Sequence, residues 1–290
     1  MSVSLLRASP SHVRALAAAG VALAACNRAA GDPAPRDEQE AATPVASCAA
    51  EPNTAPSTAS DVPYVSRDGR ALRLDVAWPA TGAPVPLVVL LHGGGWSGGS
   101  RASLHDEMLA WARRGYAAAT VEYRLTAAPR DVFPAAASDV ACAVRFLRAH
   151  AGDYRIDGAR VQAVVSYAGP QDLRVNGPYT EEQARLVTNF LGVFPGDAPQ
   201  RATLASPIAH VGAGDPPFLL VHGTRDDLVP VEHSRRMAAA LRAVGTPATV
   251  LELRDVGHAF VGLATSDDAR VRCTTAAFLA RWLGASRASP

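Results

Sequence analysis

Two short runs, PLVVLLH at 86–92 and PFLLVHG at 217–223, constrain this chain more than any other feature. Each is almost unbroken apolar sequence, bounded by proline before and glycine after. A strand with one wet face alternates apolar and polar residues. One that is apolar throughout is covered on both faces, as in the parallel sheets of α/β proteins. The segments between and around the runs carry the complementary pattern. Helices are predicted at about 102–114, over FPAAASDVACAVRFLRAHA (133–151), near 180–191, over VEHSRRMAAALRAVG (231–245) and over DDARVRCTTAAFLARWL (267–283). YAAATVEY (116–123) and TVLEL (249–253) read as further strands, and FPGDAPQ as a loop. VPYV and ALRLDVAW form an opening hairpin around Arg67-Asp68-Gly69. Strands alternating with helices imply a mostly parallel sheet covered on both faces, a three-layer α/β architecture.

The chain is long enough for one such domain, with 290 residues of which 48% are hydrophobic. Its net charge of +1 gives no electrostatic reason to bind nucleic acid. The domain is expected to occupy residues 61–286. Before it, Arg7 and Arg14 accompany the apolar run ALAAAGVALAAC, which is too short to span a bilayer and suits a secretory signal. Residues 27–60, rich in Ala, Pro, Ser and Thr and without aromatics, read as a disordered tether. Cys48 lies in that tether. Cys142 and Cys273 sit among apolar helical neighbours, which suits buried free thiols as well as a disulfide. The cysteine spacing fits no metal site.

Three positions carry the chemistry. His92-Gly93-Gly94-Gly95-Trp96 directly follows a buried strand, and consecutive glycines let the backbone turn amide N–H groups into a cavity. Such donors stabilise the oxyanion of a tetrahedral intermediate by about 3–4 kcal/mol each. VHGTRDDLVP places Asp226 and Asp227 after one strand, and VGHAF places His258 after the next. Loops at the carboxyl ends of parallel strands are where such sheets build sites, and an acid followed late in the chain by a base suits a Ser-His-Asp triad.

HGGGW, VEYRL, FPAAASDV, SYAGPQDL, ASPIAHV, DPPFLLVHGTRDDLVPVEHS and VGHAF together resemble the α/β-hydrolases, closest to the bacterial feruloyl- and acetyl-esterase-like group. The likeness runs from about residue 61 to 285. It implies a carboxylic ester hydrolase with His258 as base, Asp226 as its orienting acid, and Gly94 and Gly95 as oxyanion donors. It implies a small ester as substrate, with neither metal nor organic cofactor. Leu23-Ala24-Ala25-Cys26 resembles a lipobox, which implies an exported protein held to a membrane by lipid on Cys26.

One part is missing. In that family a segment like RIDGARV leads through a strand into a G-x-S-x-G elbow and a helix. Here it joins QAVVSYAGPQDL directly, and the roughly 25–35 residues that a strand, elbow and helix need are absent. The sheet is therefore expected to lack one central strand and its following helix. Ser97, in Gly95-Trp96-Ser97-Gly98-Gly99, matches the elbow pattern but overlaps the oxyanion loop. Ser166, in VVSYAGP, lies on a strand with Gly169-Pro170 where a helix should start. Both are weak candidates, and the nucleophile stays unidentified. The residues thus point to an esterase with little or no serine-dependent activity. A non-catalytic binder using the inherited cleft, or a serine peptidase of the same fold, are the alternatives. Both a degenerate family member and a shortened form of a longer chain fit this sequence.

Overall fold

A computed structural model describes residues 54–158, 163–175 and 179–283. The signal-like segment, Cys26, Cys48 and most of the expected tether lie outside the described residues.

The chain opens with the predicted hairpin. β1 (Ser57–Arg67) pairs antiparallel with β2 (Arg70–Trp78). The turn between them has positive φ at Asp68 (48°) and Gly69 (80°), the left-handed pair whose twist suits a two-residue hairpin. β1 begins four residues before the expected domain boundary: Ser57, Thr58 and Ala59 pair with Trp78, Ala77 and Val76. An edge strand needs only one covered face, so small polar residues suffice there and composition alone hides it.

The strands at 86–92 and 116–123 form β3 (Leu87–Leu90) and β4 (Ala117–Val121), every residue buried. Between them runs α1 (His105–Arg113), and after β4 comes α2 (Ala135–Ala149). β3 and β4 are parallel, giving a four-stranded sheet in the order β1-β2-β4-β3. A second sheet contains β5 (Val164–Tyr167), β6 (Phe218–Gly223) and β7 (Ala248–Leu253), all parallel and in that order. α3 (Glu181–Leu191) and α4 (Pro199–Ala205) separate β5 from β6, α5 (Glu232–Ala243) joins β6 to β7, and α6 (Thr265–Leu283) closes the fold. The sequence reading missed α4, having taken FPGDAPQ as loop. Pro199 sits in its first turn, where its fixed φ and missing N–H cost nothing.

The expected gap falls between the two sheets. Ile156 forms one parallel bridge with Val85, held by Val85 N donating to Arg155 O (2.9 Å) and Asp157 N donating to Val85 O (2.7 Å). The chain thus starts to lay a strand beside β3. By Val164 it is instead paired with β6, with Val164 N donating to Pro217 O at 2.9 Å. Among the described residues, the expected strand beside β3 is represented by this single bridge.

The core shows what followed that strand. On one face a continuous cluster joins both sheets: Val88 and Leu90 with Val165, Leu219 and Val221, under Met108 and Trp111 of α1 and Leu279 and Leu283 of α6. On the other face there are two separate clusters. Leu87 and Val89 pack on Val144 and Leu147 of α2, while Leu220 packs on Met237 and Leu241 of α5. The missing helix would lie between α2 and α5. The shared face carries the cohesion of the two halves, since each fully buried Leu or Val there contributes about 1.5–3 kcal/mol.

Cys273 on α6 is disulfide-bonded, with its partner outside the described residues. Cys142 is a free thiol, and its Sγ accepts from Arg67 Nη2 (3.1 Å) and Arg145 Nη2 (2.9 Å).

Candidate active site

The acid is delivered by β6, whose last residues are buried, into the turn that follows. Asp226 Oδ1 accepts from the amides of Leu228 (3.1 Å) and Val229 (2.7 Å), so the carboxylate closes its own loop. His258, in the loop after β7, turns its Nδ1 toward the same group, 2.9 Å from Oδ2 and 3.1 Å from Oδ1. Asp227 makes no such contact with the ring. A carboxylate only accepts, so Nδ1 carries the proton and Nε2 presents its lone pair outward. The His258 side chain is 37% exposed and that of Asp226 is not exposed at all. Water reaches the His258 ring while the Asp226 carboxylate is shielded.

A second imidazole backs the acid. His222, fully buried in β6, places Nε2 2.6 Å from Val229 O and 3.3 Å from Asp226 Oδ2. Two acceptors face that nitrogen, so it is the donor, and Nδ1 accepts from Ser234 Oγ at 2.7 Å. Burial works against a charge on Asp226. The hydrogen bonds from His222 and His258, the Val229 amide and the His258 ring outweigh it and hold the carboxyl well below the usual range. It is an ionised acid oriented on two sides. The sequence reading did not single out His222 or Ser234. The signal available was a histidine inside an otherwise apolar strand, which has to find polar partners there.

The glycine loop has the backbone its composition predicts. Gly94, Gly95 and Trp96 all have positive φ, at 126°, 56° and 59°. At Gly94 a Cβ would lie 2.3 Å from Gly98 O, so no side chain fits. The amides of Ser97 and Gly98 turn inward to Gly94 O (3.2 and 2.9 Å). Those of Gly94 and Gly95 have no acceptor among the described residues. Tyr123 anchors the start of the loop, its hydroxyl donating to His92 O at 2.7 Å, and burial pushes its phenol up to about 12.

α3 ties the loop to the acid. Its first turn is a capping box: Thr180 Oγ1 accepts from Gln183 N (3.2 Å) and Gln183 Oε1 accepts from Thr180 N (2.9 Å). The remaining Nε2 of Gln183 donates to the carbonyls of Asp227 and Leu228, both at 3.1 Å. One turn later, Leu186 Cδ2 lies 2.8 Å from the position a Cβ on Gly95 would take. Phe190 then stacks on Trp96 with ring centroids 4.1 Å apart. Three successive turns of one helix touch the acid loop and the glycine loop in order. The T-x-x-Q signature of this cap was readable in the sequence; its second role was not.

Neither serine candidate joins this group. Ser97 is exposed in the glycine turn. Ser166 is buried in β5, where Oγ accepts from Gln171 Nε2 at 2.9 Å, and a Cβ on Gly169 would sit 2.5 Å from that oxygen. The 168–171 turn therefore covers Ser166. No hydrogen bond links either hydroxyl to His258, and Nε2 has no side-chain partner among the described residues.

The fold and this constellation define an α/β-hydrolase of the esterase group. The BD-FAE family model matches residues 74–161 and 157–241, more than half of the chain, and the chain belongs to that family. The two matched stretches overlap at 157–161, just after the bridge between Val85 and Ile156. Among curated proteins the chain is similar to two from Mycobacterium tuberculosis. One is a probable carboxylic ester hydrolase, LipM (28% identical, 73% of this chain and 58% of that protein), and the other is the esterase LipQ (30%, 71% and 58%). The chain thus spans a little over half the length of these relatives. The LipM alignment covers 256 positions, whereas 73% of 290 residues is about 212, so roughly 40 positions fall on residues this chain lacks. Among solved structures it is similar to a thermophilic esterase from Thermogutta terrifontis, Est2, with a TM-score of 0.64 at 23% identity over 79% of this chain and 94% of that one. A propionate-bound form of that esterase aligns with the same score.

Proposed function

We propose that this chain is an esterase-type protein whose cleft takes short acyl esters and their carboxylate products, and that it carries out little or no serine-dependent hydrolysis. His258 is its base, Asp226 the acid that orients it, and Gly94 and Gly95 the oxyanion donors. The observation that carries the reading is His258 Nε2, which meets no hydroxyl among the described residues, while the Gly94 and Gly95 amides have no acceptor there. Propionate and butyrate bound to the Thermogutta esterase support a short-chain ligand. The test treats the full chain with a fluorophosphonate that phosphonylates active serines, and titrates it with butyrate while following the His258 ring by NMR. No serine adduct by mass spectrometry and a butyrate-dependent shift of the ring signals are expected. A stoichiometric serine adduct overturns the reading.

We further propose export and lipid anchorage at Cys26. The Leu23-Ala24-Ala25-Cys26 sequence supports both, and a disulfide at Cys273 supports export alone, since such bonds persist in oxidising compartments. Incorporation of labelled fatty acid into the wild-type chain but not into Cys26→Ala is the expected result, and equal labelling of the two sinks the proposal.

A further inference from the structure

We infer that the Asp226–His258 pair uses water directly as its nucleophile, giving slow hydrolysis of activated short acyl esters with no acyl-enzyme intermediate. This inference rests on the cleft reading above and adds a reaction to it.

Three observations carry it. The His258 ring is fixed by its Nδ1 contacts to Asp226, so Nε2 has one direction in which to accept a proton. That nitrogen meets no protein hydroxyl among the described residues, and the side chain is 37% exposed, so the donor that reaches it is solvent. The glycine loop is not adrift from this base: α3 holds the acid loop through Gln183 and covers Gly95 with Leu186, one turn apart. Residues three apart on a helix lie about 5–6 Å from one another. The loop that presents Asp226 and the glycine loop thus share one supporting helix.

The step balances with water alone. His258 Nε2 takes one proton from a water molecule as its oxygen forms a bond to the acyl carbon. The carbonyl π pair moves onto oxygen, where the Gly94 and Gly95 amides meet it. The tetrahedral intermediate then collapses, the bond to the leaving oxygen breaks, and the imidazolium returns its proton to that oxygen. The products are a carboxylic acid and an alcohol, and the ring is neutral again. A serine hydrolase shields its imidazole with the nucleophile; here no hydroxyl among the described residues takes that place, and the ring is part-exposed.

The test is steady-state and pre-steady-state hydrolysis of p-nitrophenyl acetate by the full chain, before and after fluorophosphonate treatment. Expected is linear release of nitrophenolate without a burst, unchanged by the phosphonate and slower in D2O. The rate falls at least about 100-fold in both His258→Ala and His258→Gln, the smaller end of what a general base contributes. Ser166→Ala leaves it unchanged. Equal rates for wild type and both His258 variants overturn the inference. If butyrate still shifts the ring signals in that case, the cleft reading stands without it. A burst with a serine adduct overturns both.

Discussion

The side-chain amide of Gln183 donates to the carbonyl of Leu228 at 3.1 Å, joining the first turn of α3 to the loop that presents Asp226. The same amide reaches Asp227 O, while its oxygen completes the helix cap. One residue thus couples the stability of α3 to the placement of the acid.

Gln183→Ala removes both functions. Thr180 Oγ1 still caps the backbone amide at 183, so losing the reciprocal bond to Thr180 N costs about 0.5–1.5 kcal/mol, and the two freed carbonyls turn to solvent. A modest fall in urea midpoint is expected, together with weaker butyrate binding, because Leu186 and Phe190 no longer hold their places over the glycine loop. Gln183→Glu keeps the cap acceptor but removes the donor. It should recover much of the stability and little of the binding, and matched recovery of both would break the proposed coupling.

Asp139 is a buried structural carboxylate. Its side chain is fully buried, gripped by Arg124 Nε (2.8 Å) and Nη2 (3.0 Å), Arg67 Nε (3.1 Å) and the Arg124 amide (3.1 Å). Removing one member of a buried ion pair strands the others, at about 3–5 kcal/mol. Asp139→Ala is therefore expected to lower stability by that amount in denaturant unfolding. The change lies between β1, α2 and the segment after β4, so a loss below about 1 kcal/mol would show the network to be solvated.

Stability should fall with pH in two steps. Burial, with Arg236 beside it, lowers the His233 ring to about 4, against the opposing field of Asp172 and Asp226. Its Nδ1 accepts from the amides of Gln171 and Asp172, both at 3.2 Å, so only the neutral ring fits. In the unfolded chain the ring titrates near 6.5. Between about pH 6.5 and 4 the unfolded state binds more protons, and stability drops as pH falls, by about 3 kcal/mol at most. Asp226, depressed in the fold, adds a second loss below about pH 4, as the unfolded carboxyl protonates first. Unfolding free energies measured from pH 8 to 3 should show the first step, and His233→Asn should flatten it.

Most of the architecture was legible because periodicity reports burial, and burial here is regular. LVVL at 87–90 and LLV at 219–221 read as doubly covered strands, with HGGGW and TRDDLVP as the loops after them, and VGHAF as the loop after TVLEL. β1 extends into residues that look like linker because an edge strand makes small demands on its side chains. α4 hid behind Pro199, a helix starter as well as a breaker. The buttress of His222 and Ser234, and the second contact of Gln183, depend on side chains meeting across elements, and spacing along the chain does not encode that. The gap was visible as a missing stretch. Its consequence for packing, one shared face and one divided face, was not.

The divided face makes a stronger prediction. If the chain lacks only a strand, an elbow and a helix, supplying them should repair both the sheet and the chemistry. Ile156 already starts a parallel strand beside Val85, and Ala163 already leads into β5. A graft of about 30 residues between Gly158 and Ala163, built as an apolar strand, a Gly-x-Ser-x-Gly turn and an amphipathic helix, is long enough for the purpose. The new strand would pair with β3 and β5, and the helix would bridge the α2 and α5 clusters, raising stability by burying the inner flanks of both. Its serine would meet His258 Nε2, so the grafted protein should show a burst with p-nitrophenyl acetate, a stoichiometric fluorophosphonate adduct on the new serine, and loss of both in His258→Ala. A graft that folds with raised stability yet takes up no phosphonate would mean that His258 and the glycine loop are not placed to serve a nucleophile from that strand.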